Sequence, residues 1–423
     1  MNYILDDAAV QAEAREQAWS MPLEDIDVSN GYLFRDNTIG HYFERLRRDA
    51  PVHYCADSRF GPFWSITRYA DIVAIEVDHK RFSSDAHVGG ISLARRQAEE
   101  VFPSFIEMDP PRHDDQRKTV SPIVAPGNLA NLQDTIRERV CRILDSLPIG
   151  ETFDWVEKVS IELTTQMLAT LFDFPFEERR KLTWWSDIAT GHPKDDGPVT
   201  SREMRLEELG KCLDYFTRLW NERVNAPPRT DLISMLAHSP ATRNMNPKEF
   251  MGNLLLLIVG GNDTTRNSIS GGLLALNQNP DQYRKLRENP ALVDTLVPEI
   301  IRWQTPLAYM RRTALEDVEF RGQTIRKGDA LAMWYLSGNR DSDAIEDADR
   351  FIIDRKRPRQ HISFGFGVHR CVGNRLAEMQ LRTLWQEILA RFPLIEIAGP
   401  PRRTLSNFVH GFTAMPVRIP ERY

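Results

Sequence analysis

The chain has 423 residues, of which 41% are apolar and 27% charged, with a formal net charge of −6 at pH 7 and four cysteines. The negative charge excludes a general affinity for nucleic acid or anionic membranes, and widely spaced cysteines without CxxC pairs favour a reducing compartment over disulfides or a zinc site. The longest apolar run, Leu254–Val259, is far shorter than the roughly 20 residues that span a bilayer, so we expect a cytoplasmic protein with no transmembrane segment.

The N-terminal part predicts short helices and a small β element. Residues 7–19 and 40–49 have helical patterns, and residues 51–55 and 63–67 have the pattern of two short strands around a turn. Residues 83–103 contain a Gly-Gly pair and no clean periodicity, which predicts a long mobile loop. Long loops in compact domains are usually functional.

A helix should begin near Asp109, where two prolines precede acidic residues. His113 and Arg117 are four positions apart, so they share one helix face and could bind one anionic group together. The alternative is a solvated helix face. Apolar residues recur along residues 129–147 and again along 155–172, which predicts two amphipathic helices that face the core.

Two further helices are predicted at residues 177–188 and 201–224, joined by a Gly- and Pro-containing hinge at 191–198. Such a pair of helices with a flexible connection can act as a lid.

The strongest helical pattern covers residues 250–276, with Gly260, Gly261, Asp263 and Thr264 in its middle. Each glycine in a helix costs about 1 kcal/mol relative to alanine, so we expect a locally opened turn there. An opened turn could hold dioxygen beside a hydroxyl and a carboxylate that relay protons. The alternative is that Thr264 bonds back to its own helix and Asp263 forms only an ion pair.

The C-terminal third predicts an ion pair and a small sheet. Glu299 and Arg302 are three apart on a helical pattern and can pair with each other. Residues 317–325 have the signal of a β-hairpin, and residues 330–334 that of a further strand. The tail at 406–412 is expected to form a strand and turn.

One cysteine, Cys371, lies in a glycine-rich loop at residues 364–373, directly ahead of a helical pattern. The glycines let the backbone turn tightly, approach a flat ligand and direct amide hydrogens at the sulfur. The nearby helix N-terminus favours the thiolate form, which is a metal ligand. The alternative is an ordinary buried cysteine.

The spacing of Phe364, Gly367, Cys371 and Gly373 resembles the haem-binding loop of the cytochrome P450 superfamily. The resemblance implies that superfamily's fold, mainly α with small β-sheets, as a single haem domain over residues 1–423. It also implies haem b with the thiolate of Cys371 as the iron ligand, and O2 as cosubstrate.

The same resemblance implies roles for other residues. Thr264 and Asp263 match the family's alcohol and acid pair for proton delivery. Further cofactor-binding roles fall to His113, Arg117, Arg312, His369, Phe364, Gly260 and Gly261. Substrate-contact roles fall to Ile258, Val259, Leu307, Ala308, Met310, Phe408, Val409 and Phe412. Glu299 and Arg302 match a structural pair, which we expect to be completed by Arg350.

The substrate-contact positions are apolar and include no charge that could anchor a polar group, which favours a hydrocarbon, a fatty acyl chain or a terpene. Residues 259–268, 337–341 and 361–382 closely resemble bacterial P450 alkane hydroxylases. We therefore expect hydroxylation of the terminal methyl of medium-chain n-alkanes, and of fatty acids as a further substrate class. The alternatives are another apolar substrate such as a terpene or steroid, a hydroperoxide-driven enzyme, and a non-catalytic haem sensor.

Electrons are expected to come from a ferredoxin and its NAD(P)H-dependent reductase, because the sequence has no flavin or iron–sulfur module. A local basic patch near the cysteine loop could attract an acidic ferredoxin. Its candidate members are Arg112, Lys118, Arg370, Arg375 and Arg382. The alternative is a scatter of solvated cations.

Overall fold

The computed structural model describes residues 8–94, 96–191 and 198–423, which form a mainly helical body with small β-sheets, as predicted. The helices are α1 Ala8–Ser20, α2 Gly31–Arg35, α3 Ile39–Asp49, α4 Tyr69–Val77, α5 Arg112–Val120, α6 Pro126–Asp145, α7 Glu162–Phe172, α8 Arg180–Thr190, α9 Arg202–Val224, α10 Leu232–His238, α11 Pro247–Gln278, α12 Pro280–Glu288, α13 Val293–Gln304, α14 Tyr335–Gly338 and α15 Asn374–Arg391. The strands are β1 Val52–Cys55, β2 Phe63–Ile66, β3 Phe82–Ser83, β4 Thr152–Asp154, β5 Met310–Ala314, β6 Val318–Phe320, β7 Gln323–Ile325, β8 Ala330–Met333, β9 Glu396–Ile397, β10 Arg402–Arg403, β11 Phe412–Ala414 and β12 Pro416–Arg418.

The largest sheet joins strands from residues 52–83 to strands from residues 310–333, in the order β1-β2-β8-β5-β3. Its β2–β8 pair is parallel, and the other pairs are antiparallel. β6 and β7 form the predicted hairpin, in which Val318 lies opposite Ile325. β12 pairs with both β4 and β9, and β10 pairs with β11. The strand pair, the hairpin and the strand expected at 330–334 are confirmed.

Helix α11 runs through the centre of the helical body. The side chain of Asn246 caps it by accepting the N–H of Glu249, and Pro247 occupies its first turn. It packs against α7, α8, α13 and α15, so neighbouring helices stabilise its whole length. The predicted opening is wrong, because residues 260–265 are helical. The Thr264 hydroxyl donates to the Gly260 carbonyl at 3.0 Å.

The long loop before α5 is held close to α11. A Cβ atom at Gly252 would lie 2.3 Å from the carbonyl oxygen of Pro103, so only glycine permits this approach. The side chain of Asn253 then accepts the N–H of Phe105 at 3.0 Å. The end of the loop is thereby fixed against the central helix.

The buried pair of Glu299 and Arg302 ties α13 to the chain that precedes the cysteine loop. Arg302 donates to both carboxylate oxygens of Glu299 at 2.8 Å. The prediction that Arg350 is the third member is wrong, because its side chain is exposed and lies 3.5 Å from Asp347. Arg355 completes the cluster, 2.8 Å from Glu299. A buried carboxylate is costly without compensating partners, and the turn after residue 350 brings Arg355 to it.

The hinge predicted at 191–198 falls mainly on residues 192–197, which lie outside the described residues. The amphipathic helix predicted at 129–147 is present as α6, whose apolar stripe is buried. Among the described helices, none is both long and apolar enough to cross a membrane.

Candidate active site

A cavity of about 840 Å³ lies between α11 and the loop that carries Cys371. This volume falls in the roughly 300–1,000 Å³ range of ligand pockets. The cavity brings together predicted site residues from distant parts of the chain. Those that line it are His113, Arg117, Gly260, Gly261, Thr264, Arg312, Phe364, His369 and Cys371.

The backbone of the cysteine loop depends on glycine. Gly365 and Gly367 both have φ of +65°, a backbone conformation that residues other than glycine rarely adopt. A Cβ atom at Gly367 would also lie 2.5 Å from the carbonyl oxygen of Glu76. The N–H of Cys371 donates to the Phe364 carbonyl at 2.8 Å. These contacts turn the Cys371 side chain into the cavity.

The Cys371 side chain is exposed and lines the cavity. Burial raises the pKa of its thiol, while the backbone N–H groups of Gly373 and Asn374 and the cations of Arg117 and Arg370 oppose that rise. Gly373 is the N-cap of α15, so the helix dipole also favours a negative sulfur. Burial outweighs these effects and the pKa stays raised, so a bound metal cation would be needed to stabilise the thiolate.

Two histidines present unused nitrogens at the cavity. His113 Nδ1 lies 2.8 Å from Asp114, and His369 Nε2 lies 3.0 Å from the Ser84 hydroxyl. The other nitrogen of each ring is buried and has no hydrogen-bond partner among the residues that the structure describes. Burial lowers the pKa of both rings, that of His369 to about 2. Because buried polar atoms are normally paired, these nitrogens indicate a polar ligand group in the cavity.

Arg117 and Arg312 line the cavity together with these histidines. Arg312 lies 3.3 Å from the buried carboxylate of Glu76, which also accepts from Tyr335 and from the N–H of Phe366. Burial raises the pKa of Glu76, whereas Arg312 and the two hydrogen bonds lower it. The sequence analysis missed Glu76, although a glutamate among apolar residues of α4 was a usable signal.

Haem fits the residues present. Cys371 would supply a thiolate, and the guanidinium groups of Arg117 and Arg312 would supply hydrogen-bond donors for two carboxylate groups. Gly260 has nothing within 4 Å of a built Cβ atom, so α11 leaves open space beside the site. Gly261 has a different role, because its Cβ would lie 2.7 Å from Leu168 of α7. Gly260 thus borders the cavity closely, and Gly261 serves helix packing.

Asp263 does not line the cavity. Its Oδ1 accepts from Ser186 and Asn262 and pairs with Arg266, each at 3.1 Å. Arg266 in turn lies 2.7 Å from Asp187, whose side chain is one-third exposed. Burial raises the pKa of Asp187. The predicted acid is therefore linked through α8 toward solvent, and its second oxygen is buried without a partner.

The predicted substrate positions divide into two sets. Those on the cavity wall are Val259, Leu307, Met310 and Phe408. Those that the structure places in the apolar core instead are Ile258, Ala308, Val409 and Phe412. Each core residue is next to or near a wall residue in sequence, but its side chain leaves the backbone in another direction.

The sequence analysis missed several apolar wall residues, including Leu168 and Leu171 of α7 and Phe102 of the long loop. Leu256 also lines the cavity, four residues before Gly260. That spacing continues to Thr264, so one face of α11 forms this wall. Helical periodicity was the signal that could have found it.

Comparison with known proteins agrees with this geometry. The family model described as Cytochrome P450 matches residues 205–418. Linalool 8-monooxygenase of Pseudomonas putida is 36% identical over 92% of this chain and 97% of that protein. The structure of cytochrome P450-153 from Novosphingobium aromaticivorans is 43% identical, with a TM-score of 0.87 over 93% of this chain and 98% of that one. For CYP153D17 from Sphingomonas sp. PAMC 26605 the identity is 48% and the TM-score 0.86, with the same coverage.

Proposed function

Because the chain belongs to the cytochrome P450 family, we propose that it hydroxylates the terminal methyl group of medium-chain n-alkanes, and of fatty acids of similar length. Its cofactor is haem held by a cysteine thiolate, with O2 as cosubstrate. The bound haem activates O2 for insertion of one oxygen atom into a C–H bond. The chain's own residues supply position, exclusion of water and protons.

The observation that carries the substrate proposal is the set of apolar side chains that line the cavity together with Gly260 and Thr264. It includes Leu168, Leu256 and Val259, together with Met310 from β5. Burial of each methylene contributes roughly 0.8 kcal/mol, so an aliphatic chain gains affinity in proportion to its length. The resemblance of residues 259–268 to bacterial alkane hydroxylases supports the same substrate class.

We assign proton delivery to Thr264 and Asp263. Thr264 lines the cavity, and its hydroxyl has to release the hydrogen bond that it donates to the Gly260 carbonyl before it can donate a proton into the cavity. Asp263 is joined to Asp187 through Arg266, which gives it a connection toward solvent. For Asp263 to pass a proton to Thr264, its carboxylate has to turn away from Arg266.

The electron donor in this proposal is a ferredoxin that binds near the cysteine loop. Two of the candidate basic residues are paired, Arg112 with Glu249 and Arg382 with Asp294. The other three are exposed and have no ion pair within the described part of the chain, namely Lys118, Arg370 and Arg375. This surplus of positive charge favours an acidic partner, with an association rate that falls as salt rises.

A second candidate substrate is a terpene, which the 36% identity to linalool 8-monooxygenase favours. A terpene and an alkane would use the same apolar wall. The positions at which the two kinds of substrate are oxidised distinguish them.

Product analysis with a series of n-alkanes, fatty acids and linalool tests the proposal, using a surrogate ferredoxin, its reductase and NADH. Predominantly primary alcohols from the alkanes support it. Mainly secondary alcohols, or turnover of linalool alone, contradict terminal alkane hydroxylation. Absence of product under full electron supply would favour a haem sensor, and turnover with peroxide alone would favour a peroxide-driven enzyme.

A further inference from the structure

Three arginines line the part of the cavity that the start of α9 borders. Arg96 forms a bidentate ion pair with Glu107, at 2.6 and 3.1 Å. Arg202 donates to Glu99 at 2.7 Å and to Glu100 at 2.9 Å. Nearby carboxylates therefore balance the charges of both guanidinium groups.

The third arginine, Arg205, has no carboxylate within 4.0 Å in the described part of the chain. Its Nε donates to the Ile188 carbonyl at 3.1 Å, and its Nη2 donates to the Ala189 carbonyl at 3.0 Å. These bonds cap the last turn of α8, but they leave the positive charge unpaired. Burial lowers the pKa of Arg205, as expected for a cation withdrawn from water.

Haem does not account for this charge. The side chains that would hold its two carboxylates are Arg117 and Arg312, with His113 and His369 on the same cavity wall. Those four side chains come from α5, β5 and the cysteine loop, not from α9. Within the described part of the chain, Arg205 is thus a cation at the cavity wall without an ion-pair partner, and only the more distant charge of Glu100 opposes the effect of its burial.

Arg205 and Cys371 belong to different walls. The Arg205 guanidinium rests on the end of α8, and Cys371 precedes α15, while α11 packs against both of these helices. The wall also carries apolar side chains of α7 and α11, which suit an aliphatic chain. An anionic group at Arg205 would leave the rest of such a chain in apolar surroundings.

We propose that Arg205 binds the carboxylate of a medium-chain fatty acid and so directs the methyl end of the chain toward Gly260 and Thr264 of α11. This inference rests on the proposed function and adds the residue that determines preference for acids. A carboxylate at this position accepts hydrogen bonds from the remaining N–H groups of the Arg205 guanidinium and balances the positive charge. Charge-assisted hydrogen bonds that are withdrawn from bulk water are stronger than hydrogen bonds between neutral groups. A neutral chain of the same length gains nothing from Arg205.

The test is a titration of the holoenzyme with dodecanoate and with methyl dodecanoate, read from the change in haem absorption on binding. In Arg205→Gln the dissociation constant for dodecanoate should rise about tenfold or more, the factor expected for one lost charge-assisted hydrogen bond. The constant for the ester should change less than about twofold. Arg205→Lys, which keeps the charge, should retain most of the affinity for the acid. Added NaCl should weaken acid binding in the wild type but not in Arg205→Gln.

Equal weakening of acid and ester, or unchanged acid binding in Arg205→Gln, overturns the inference. Thermal unfolding of each variant shows whether the α8 cap tolerates the change, and Arg205→Lys keeps the test valid if Gln does not. A wild-type enzyme that converts n-alkanes but binds dodecanoate independently of Arg205 refutes only this inference. A wild-type enzyme that converts neither alkanes nor acids refutes the proposed function, while the titration still decides the role of Arg205.

Discussion

The carboxylate of Glu76 lies 3.3 Å from the guanidinium of Arg312, and both side chains are almost completely buried. Glu76 belongs to α4 and Arg312 to β5, and the two residues are 236 positions apart. The same carboxylate accepts hydrogen bonds from Tyr335 and from the backbone of the cysteine loop at Phe366. The buried carboxylate of Glu76 thus connects Arg312, which lines the cavity, to the loop that carries Cys371.

Glu76→Gln should therefore lower the free energy of unfolding by about 3 kcal/mol, because breaking a buried ion pair leaves Arg312 without its carboxylate. Haem should also transfer faster to an acceptor such as apomyoglobin. Tyr335→Phe removes only one hydrogen bond and should cost about 1 kcal/mol. Equal stability of Glu76→Gln and the wild type would contradict the role given to this carboxylate.

Thr264→Ala should uncouple electron use from hydroxylation, because the hydroxyl of a residue that lines the cavity is lost. We expect NADH consumption to continue while alcohol yield falls about a hundredfold, the lower end of the range of general acid catalysis, and peroxide appears. Thr264→Ser keeps the hydroxyl and serves as the matched control. Normal coupling in the alanine variant would exclude a proton-relay role for Thr264.

Asp263→Asn should slow proton delivery and increase the solvent isotope effect on turnover, since the acid joined to Arg266 is gone. Asp187→Asn should have a smaller effect, because Asp187 is partly exposed and solvent can replace it. Turnover rates in H2O and in D2O, at saturating substrate and ferredoxin, give the solvent isotope effect of each variant. Isotope effects identical to the wild type in both variants would argue against this route.

Gly260→Ala should reduce the space beside the haem without harming the fold. A Cβ atom there meets nothing within 4 Å, and alanine in a helix is favoured over glycine by about 1 kcal/mol. Stability should hold or rise while affinity for bulky apolar substrates falls. Gly261→Ala is the comparison, because its Cβ would approach Leu168 to 2.7 Å and require that side chain to shift. Loss of stability in Gly260→Ala would contradict its place at the cavity.

Stability should fall between pH 6.5 and pH 4 in part because of His410, whose pKa burial lowers from 6.5 to about 4. His410 is fully buried and donates through Nδ1 to the Gln304 carbonyl at 2.6 Å. The folded protein resists protonation of this ring and the unfolded chain does not, so its contribution is complete above pH 6.5 and lost as the pH falls toward 4. A shift of this size corresponds to about 3 kcal/mol.

The difference between the wild type and His410→Gln isolates this effect from other buried histidines. Urea unfolding at several pH values should give a steeper loss of stability on acidification for the wild type. Parallel pH profiles would show that His410 does not titrate in this window.

Much of the fold was predictable because it depends on local pattern. The stripe of α6, the β6–β7 hairpin and the loop before α15 all follow from periodicity and from glycines in special conformations. The Glu299–Arg302 pair followed from helical spacing alone. The identity of the arginine that completes this pair could not be predicted, because the turn after residue 350 places Arg355, and not Arg350, beside Glu299.

The sequence by itself determined the family, the cysteine loop that lines the cavity and the helix that crosses the site, since these are encoded in short segments with strong local preferences. Only the tertiary structure decided what meets across the chain. Glu76 reaches Arg312, Asp263 faces α8, and Ile258 enters the core while Val259 reaches the cavity. Such contacts depend on the rotation and packing of whole helices and strands, and a one-residue difference in side-chain direction separates core from cavity.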